Sequence, residues 1–131
     1  MPRPIHAALA LVERRGRYLI CRRPPGGFLG GYWEFPGGKR EPGETWTACV
    51  RRELREELGV QATSVRLFMR LRHQGVERRI VLFTVFRCTI AGRPRPLAAT
   101  AMRWVARRHL SRYRFPPANR PLLARLAPAD P

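Results

Sequence analysis

The order of apolar and polar residues along this chain predicts a mixed fold of strands and helices. Five short stretches rich in β-branched and aromatic residues predict strands, and they lie at residues 5–12, 18–22, 64–72, 79–88 and 102–105. A turn at Arg15 and Gly16 joins the first two as a hairpin. A shorter strand-like piece at residues 33–35 runs into Pro36-Gly37-Gly38, where we expect only loose backbone.

Two segments have helical periodicity instead. Between residues 45 and 58 the apolar residues form a single stripe, made of Trp46, Cys49, Val50, Leu54 and Leu58. Gly59 follows as a stop signal, and a closing helix is predicted over residues 117–126, with Pro117 in its first turn. Strands on both sides of a central helix, plus a terminal helix, predict one α/β domain over residues 1–131, with a mixed sheet covered on two faces.

Charge is distributed unevenly along the chain. It has 26 Lys and Arg residues against nine Asp and Glu, a net charge of +17, yet five of the nine acids lie between residues 41 and 57. On a helical wheel, Glu53, Glu56 and Glu57 fall within about 100° of one another and overlap the apolar stripe. Clustered like charges repel one another unless a cation neutralises them. This placement therefore points to a divalent metal.

The alternative interpretation is a solvated helix face held by Arg/Glu pairs. Arg51, Arg52 and Arg55 fall on the side of the wheel where solvent is expected, and such pairs do stabilise exposed helices. The glutamates are predicted to point toward the body of the protein, where a carboxylate without a counter-ion is costly. Oxygen ligands from closely spaced glutamates suit Mg²⁺ or Mn²⁺ better than zinc. The wheel favours the metal site.

The remaining composition narrows the class of protein. Hydrophobic residues make up 44% of the chain, which argues against disorder. No apolar run approaches the ~20 residues of a membrane span, and we see no secretory signal at the N-terminus. Cys21, Cys49 and Cys88 are widely spaced in apolar surroundings and are expected to be reduced core residues. These features predict a cytoplasmic protein without a membrane partner.

The spacing of the acidic segment resembles a known motif. Gly38 is followed after five residues by Glu44, and after seven more by Arg-Glu-Leu-Arg-Glu-Glu-Leu-Gly-Val at residues 52–60. This arrangement is similar to a complete Nudix box. The resemblance implies an α/β/α sandwich in which a loop–helix–loop presents glutamates to a metal. It also implies hydrolysis of a nucleoside diphosphate linked to another group, by attack of water on phosphorus.

The resemblance assigns roles within the box. It implies that Glu53, Glu56 and Glu57 are metal ligands and that one of them is the general base. The carbonyl of Gly37 is expected to join the metal shell, and Arg52 is expected to orient the carboxylates. These assignments agree with the chemistry, since pyrophosphate cleavage needs neutralised phosphoryl charge and an activated water. Glu44 is either a support for the preceding loop or only a charge at the helix N-terminus.

The flanking segments resemble the MutT-type enzymes, which remove oxidised guanine nucleotides such as 8-oxo-dGTP. The matching segments are residues 21–24, 33–39 and 115–119. In that group the arginine matching Arg23 contacts phosphate, and the asparagine matching Asn119 reads the purine edge. Residues matching Glu34, Phe35 and Arg78 line the same nucleotide site. The plainer alternatives are that Asn119 only begins a helix and that Arg78 is only surface charge.

One segment departs from the pattern of this group. MutT-type enzymes usually carry a further glutamate, as metal ligand or general base, in the loop before the last strand. Residues 91–100 of this chain contain no acidic residue at all. Either the glutamates of the box supply the base, or the enzyme is slower or arranged differently.

The leading hypothesis is a nucleoside triphosphate pyrophosphohydrolase that converts oxidised purine nucleotides to monophosphate and pyrophosphate. The expected cofactor is Mg²⁺, and Mn²⁺ is the alternative metal. Within that class, CTP or a modified pyrimidine nucleotide is the alternative substrate. From other classes, we weighed a non-catalytic domain that recognises oxidised guanine, as in adenine glycosylases, and an enzyme trimming RNA 5′ ends. A nucleic acid partner is not expected, although the charge of +17 allows one. Monomer and dimer both stay open.

Overall fold

The first strand is central to the sheet, because every other strand pairs either with it or with one of its partners. The computed structural model describes residues 3–75 and 78–128, so the ends of the predicted 1–131 domain lie outside the described residues. The strands are β1 Ile5–Arg14, β2 Arg17–Arg22, β3 Trp33–Glu34, β4 Gly37–Lys39, β5 Gln61–Gln74, β6 Ile80–Ala91 and β7 Ala101–Ala106. The α-helices are α1 Trp46–Leu58 and α2 Arg120–Leu126, and 3₁₀ turns span Arg107–Arg112 and Pro117–Asn119.

The strands form the mixed sheet that the sequence predicted. Their order is β3-β2-β1-β6-β5, with β4 paired to β1 and β7 paired to β2. The pair β1–β6 is parallel over eight residue pairs, from Ile5 opposite Val81 to Val12 opposite Cys88. The other pairs are antiparallel. The parallel pair is possible because β4, α1 and β5 all intervene between β1 and β6, which gives the chain room to cross over.

Alternate residues of β1 belong to different halves of the core. Ala8, Ala10 and Val12 pack in a cluster with the apolar stripe of α1, while Leu9 and Leu11 pack in a second cluster that includes residues of α2. Successive side chains of a strand point to opposite faces, so one strand can hold two layers. The sheet is thus covered on both faces, which confirms the predicted α/β/α sandwich.

One predicted loop is wrong. The sequence Pro36-Gly37-Gly38 was expected to be loose backbone, yet Gly37–Lys39 forms β4 and pairs with residues 7–9 of β1. The glycines allow a close approach instead of flexibility, because a side chain at residue 37 would collide with the backbone carbonyl of Ala8.

The C-terminal third also differs in detail from the prediction. The expected helix at residues 117–126 begins as the 3₁₀ turn Pro117–Asn119, and the α-helix proper starts at Arg120. The 3₁₀ turn Arg107–Arg112 was not predicted. Short 3₁₀ pieces are common at helix ends and as connectors, and they leave too little periodicity in the sequence to be recognised.

The cysteines agree with the expectation from composition. The three cysteines are buried and free of disulfide bonds, as core thiols should be. Among residues 3–75 and 78–128, no helix combines the length and apolar character that crossing a membrane requires.

Both ends of α1 lie where the sequence predicted them. The Thr45 hydroxyl accepts a hydrogen bond from the Ala48 N–H at 3.1 Å, which satisfies one of the free donors in the first turn. Gly59 ends the helix in the left-handed conformation, with φ of 68°. These two caps fix the ends of the helix, and the packing of its apolar stripe with β1 sets which way the glutamates face.

The Thr45→Ala variant should lower the free energy of unfolding by about 1 kcal/mol, because the first turn of α1 loses its side-chain cap. The exposed Thr47 on the same helix is the matched control, and Thr47→Ala should leave stability unchanged or slightly higher, since alanine favours the helix. Urea unfolding followed by circular dichroism measures both variants. Equal losses in the two would show that the cap does not stabilise α1.

Candidate active site

The glutamates of α1 do not all face inward as the helical wheel predicted. Glu53 and Glu57 are partly buried against β4, but the Glu56 side chain is 58% exposed. The arginines differ from the prediction too, since Arg55 alone is exposed. The Arg51 guanidinium donates to the Ala62 carbonyl at 2.7 Å. Long side chains can turn back toward the protein from a nominally solvent-facing position, and a wheel does not show this.

Arg52 is the centre of the acidic cluster rather than a solvent-exposed residue. Its side chain is only 17% exposed. The guanidinium donates in bidentate fashion to Glu44, with Nε to Oε2 at 2.7 Å and Nη2 to Oε1 at 3.0 Å. Nη1 donates to Glu53 at 2.8 Å and to Glu56 at 3.2 Å, and Nη2 also reaches the Lys39 carbonyl at 3.0 Å. One planar cation therefore ties the preceding loop to two carboxylates of the helix.

This contact changes the ionisation of Glu44. The hydrogen bonds from Arg52, then the N–H of Glu41, lower the pKa of the Glu44 carboxyl to about 2, because both favour its charged form. The same contact raises the pKa of Arg52 above its usual value, chiefly through the hydrogen bond with Glu44. The pair is therefore charged at any physiological pH. Of the two expectations for Glu44, this geometry favours the support of the loop.

Glu57 has the opposite environment. Burial raises the pKa of its carboxyl to about 8, and the negative charges of Glu53, Glu34 and Glu56 add to the shift. The Gly37 N–H donates to Glu57 Oε2 at 2.9 Å and opposes the shift only in part. Glu57 is therefore the group in the cluster that most lacks positive charge.

Glu53 lies tightly against the second glycine of β4. A Cβ at Gly38 would lie 2.5–2.7 Å from the carboxylate atoms of Glu53, so residue 38 must be glycine for the carboxylate to sit there. Burial raises the pKa of Glu53 as well, although Arg52 pulls it down. β4 thus contacts both partly buried carboxylates of α1. The Gly37 N–H donates to Glu57, and the absence of a side chain at Gly38 leaves space for Glu53.

The donor set fits a hard divalent cation. The groups present are carboxylate oxygens and backbone carbonyls, which Mg²⁺ and Mn²⁺ prefer, and two of the carboxylates have raised pKa values that a cation would reverse. In the part of the chain that is described, no three His, Cys, Asp or Glu side chains already converge as a metal cage. Arg52 engages one oxygen each of Glu53 and Glu56, and Gly37 engages one oxygen of Glu57, so each contact leaves the other oxygen of its carboxylate for a cation.

A cavity of about 680 Å³ opens beside the acidic cluster. Three of the predicted nucleotide-site residues, Arg23, Glu34 and Asn119, lie on its wall. Arg23 Nη1 donates to Glu34 Oε2 at 3.3 Å. Burial nonetheless raises the pKa of Glu34, because it outweighs the nearby guanidinium. Since Glu34 also raises the pKa of Glu57, this wall of the cavity lies within electrostatic reach of the glutamates of α1.

Asn119 is an unusual residue on this wall. It is only 5% exposed, although an amide is polar. It stands directly before α2, yet its side chain makes no capping hydrogen bond to that helix. A helix-start role therefore does not account for its amide. An amide both donates and accepts, which suits a nucleobase edge that presents both.

The other two predicted residues lie elsewhere. Phe35 is 2% exposed and stacks on Phe115, with ring centroids 5.1 Å apart, inside the core cluster that includes α2. Arg78 is exposed and does not line the cavity, whereas the adjacent Arg79 does. The structure therefore supports a packing role for Phe35. Arg78 is not among the residues that line the cavity.

Several wall residues were missed by sequence reasoning. They come from the loop before β3 and from the β5–β6 hairpin, and they include Phe28, Tyr32, His73, Arg79 and Phe83. The register places His73 opposite Val81, so β5 and β6 contribute to the same wall. No local motif marks these residues, because they become neighbours only when the sheet forms. The Pro- and Gly-rich loop around Phe28 was visible in the sequence, but not its position over the cavity.

The loop without acids has a structural role at the end of α1. The Arg95 N–H donates to the Leu58 carbonyl at 2.9 Å, and the Leu97 N–H donates to the Glu57 carbonyl at 3.0 Å. These bonds satisfy carbonyls that have no partner within the helix. The loop thus holds the backbone of Glu57 in place without contributing a carboxylate.

Comparison with known proteins agrees with this geometry. A family model described as the NUDIX domain matches residues 7–125. The 8-oxo-dGTP diphosphatase of Escherichia coli K12 is 36% identical over 107 residues, which cover 82% of this chain and 83% of that protein. The CTP pyrophosphohydrolase of the same organism is 34% identical over 120 residues, which cover 91% of this chain and 88% of that protein.

Solved structures show the same relationship. A MutT structure, from work on Aliivibrio salmonicida and Vibrio cholerae, superimposes with a TM-score of 0.82 at 30% identity and covers 95% of this chain and 97% of that one. Relatives named diphosphatase and pyrophosphohydrolase support an enzyme rather than a non-catalytic recognition domain. Nudix hydrolases generally use divalent metals, in agreement with the donor set on α1. This chain is therefore a member of the Nudix hydrolase family, of the MutT type.

Proposed function

We propose that this Nudix pyrophosphohydrolase acts in the cytoplasm as a Mg²⁺-dependent enzyme that hydrolyses oxidised purine nucleoside triphosphates, such as 8-oxo-dGTP, to monophosphate and pyrophosphate. The observation that supports it most is the buried, uncapped amide of Asn119 on the wall of a cavity next to the glutamates of α1. A buried amide that reads a base edge discriminates strongly, because the wrong base leaves it without a partner. The cavity volume of about 680 Å³ suits a ligand of nucleotide size.

The residues of the chain divide the work of the reaction between them. Arg52, held by Glu44, orients the carboxylates of Glu53 and Glu56, and the Gly37 N–H orients Glu57. A divalent cation, when bound to these carboxylates, would neutralise the phosphoryl oxygens and lower the pKa of the attacking water. Arg23 stands at the cavity wall, where its guanidinium can exchange Glu34 for a phosphate oxygen.

The proton of the attacking water must go to a carboxylate of the box. Residues 91–100 contain no acid, and their backbone serves as the end cap of α1. Glu53 and Glu57 are the two partly buried candidates, and both have raised pKa values in the absence of metal. A base must have its pKa near the working pH, which such an environment can provide.

A pyrimidine nucleotide is the second candidate substrate. The similarity to the CTP pyrophosphohydrolase extends over 91% of this chain, more than the 82% shared with the Escherichia coli 8-oxo-dGTP diphosphatase. The identities, 34% and 36%, do not separate them. Cytosine also presents a donor beside an acceptor, so the Asn119 amide is compatible with it.

The Glu57→Gln variant should lower kcat for pyrophosphate release by about 100-fold or more, because it removes a negative ligand and a potential base. The fold should survive, since the glutamine carbonyl can still accept the Gly37 N–H. Glu13→Gln, on β1 in the ion pair with Arg87, is the matched control and should retain activity. Release of pyrophosphate from 8-oxo-dGTP with Mg²⁺ is measured in all three proteins. Full activity of Glu57→Gln would remove Glu57 from the mechanism.

Binding of Mg²⁺ near pH 7 should release about one proton, since the Glu57 carboxyl, with a pKa of about 8 without metal, must lose its proton to become a ligand. Calorimetry in two buffers with different ionisation enthalpies measures this release. The signal should shrink in Glu57→Gln. Mg²⁺ binding without any proton release would contradict the role of Glu57 as a ligand.

The metal-free protein should become less stable as the pH rises from about 4.5 to about 8. Within this window the folded protein retains the Glu57 proton that the unfolded chain has lost, so stability is greatest below the unfolded pKa and falls toward the folded one. Thermal unfolding in the presence of a chelator should show this slope, and Glu57→Gln should make it shallower. An identical slope in the variant would assign the dependence to other groups.

The Asn119→Ala variant should lower kcat/KM for 8-oxo-dGTP by about 10- to 100-fold, since a lost base contact costs roughly 1–3 kcal/mol in a buried site. Its effect on dGTP should be smaller, so the ratio between the two substrates should fall toward one. A panel with 8-oxo-dGTP, dGTP, CTP and dCTP decides the substrate class. A preference of the wild type for CTP, reduced in the variant, would support the pyrimidine alternative instead.

A further inference from the structure

A second concave surface runs along the outer edge of β7, and nothing in the reaction above uses it. Three depressions of about 460, 570 and 470 Å³ adjoin one another there, and the first shares lining residues with each of the other two. We call this surface the basic groove and define it by Arg17, Arg103, Arg112, Tyr32, Trp104 and Tyr113. It passes around the strand edge that β7 does not share with β2, its one partner among the described strands.

The charge of the basic groove is entirely of one sign. Eight arginines line it, and no Asp or Glu is among its described lining residues. None of these arginines takes part in an ion pair within residues 3–75 and 78–128. The pKa of His109, in the same groove, is lowered by burial and by the nearby charges of Arg112, Arg108 and Arg17. Such a concave positive surface concentrates anions.

Aromatic rings hold several of these guanidinium groups in place. The guanidinium carbon of Arg14 lies 5.3 Å from the Trp104 ring, and that of Arg114 lies 4.3 Å from the Tyr32 ring. Arg103 lies 5.6 Å from Trp33. Stacking on a ring immobilises a guanidinium before a ligand arrives and leaves its N–H edge available, so less entropy is lost on binding phosphate.

The rings themselves are partly accessible. Tyr32, Trp104 and Tyr113 are half-buried rather than buried. Arg114 covers one face of Tyr32 and Arg14 one face of Trp104, so an unpaired base at these positions stacks on the outer face of the guanidinium. Arginine beside half-buried rings is a combination that binds phosphates and unpaired bases together. Duplex nucleic acid hides its base faces, and an anionic membrane has none.

We propose that the basic groove binds single-stranded nucleic acid, through its phosphates and the faces of its bases. The sugar plays no part in this recognition, so RNA and DNA strands bind alike. Tyr32 lines both the basic groove and the nucleotide cavity, so the two surfaces adjoin at this residue.

Fluorescence anisotropy with a labelled 15-nucleotide oligothymidylate tests the two parts of the contact. The wild type should bind oligothymidylate and oligouridylate within about threefold of each other, and an abasic strand of equal charge at least about tenfold more weakly, because stacking contributes roughly 1–3 kcal/mol per base. Duplex DNA and inorganic polyphosphate should also bind more weakly. Equal binding of the abasic strand or polyphosphate would overturn the proposal in favour of a general anion surface.

The double variant Arg103→Gln with Arg112→Gln tests the location. Losing two phosphate contacts should weaken binding about tenfold and lower the slope of log affinity against log salt by about 1.4. The matched control, Arg70→Gln with Arg72→Gln, removes the same charge from exposed positions on β5 at the other edge of the sheet and should change affinity less than threefold. Equal losses in the two double variants would overturn the proposal.

Hydrolysis of nucleoside triphosphate by the Arg103→Gln, Arg112→Gln protein should match the wild type, because neither residue lies in the nucleotide cavity. This assay shows that the variant is folded. It also keeps the two proposals separate, since nucleic acid binding and nucleotide turnover are measured independently and either can fail alone.

Discussion

The contact between Arg52 and the carboxylates around it is the interaction on which the active site depends. The guanidinium of Arg52 lies within 3.8 Å of four glutamates, of which Glu44 and Glu53 are largely buried and Glu41 and Glu56 are exposed. Without a cation the repulsion among these carboxylates would separate them. Arg52 supplies one positive charge in a planar fork, which can bind several oxygens at once where a lysine would bind fewer. It keeps Glu53 and Glu56 together, whereas Glu57 has no ion pair within residues 3–75 and 78–128. The cluster is therefore organised before metal arrives.

The pairing of β4 with β1 gives this cluster its second support. Gly37 lies against the backbone of Ala8 and donates its N–H to Glu57, and the space left by the missing side chain of Gly38 admits the carboxylate of Glu53. Because β1 packs with α1 on one face and with the cluster that includes α2 on the other, one strand supports both the helix that carries the glutamates and the opposite layer of the core. A small domain can hold a charged site in this way because β1, β4 and α1 all pack together beside the glutamates.

Much of this could be predicted from the sequence, and the failures have specific causes. The bounds of α1, most of the strands and the buried cysteines follow from periodicity and from end signals that act over a few residues. The wheel placed Glu56 and Arg52 wrongly because it gives the direction of a Cα–Cβ bond, whereas the ends of such long side chains go where partners are available. The strand β4 was missed because its glycines resemble a loop, and their close approach to β1 has no local signal.

By itself, the sequence determined the chemistry of the site. The spacing of Glu53, Glu56 and Glu57 on one helix brings oxygen ligands together wherever that helix lies, because the period of an α-helix is a local property. Only the tertiary structure decided which of these carboxylates Arg52 contacts, and which residues line the neighbouring cavity. Burial of Glu57 against Gly37, and the cavity shared by Arg23, His73 and Asn119, join residues far apart in the chain. Such contacts depend on strand register and packing, which no short stretch of sequence specifies alone.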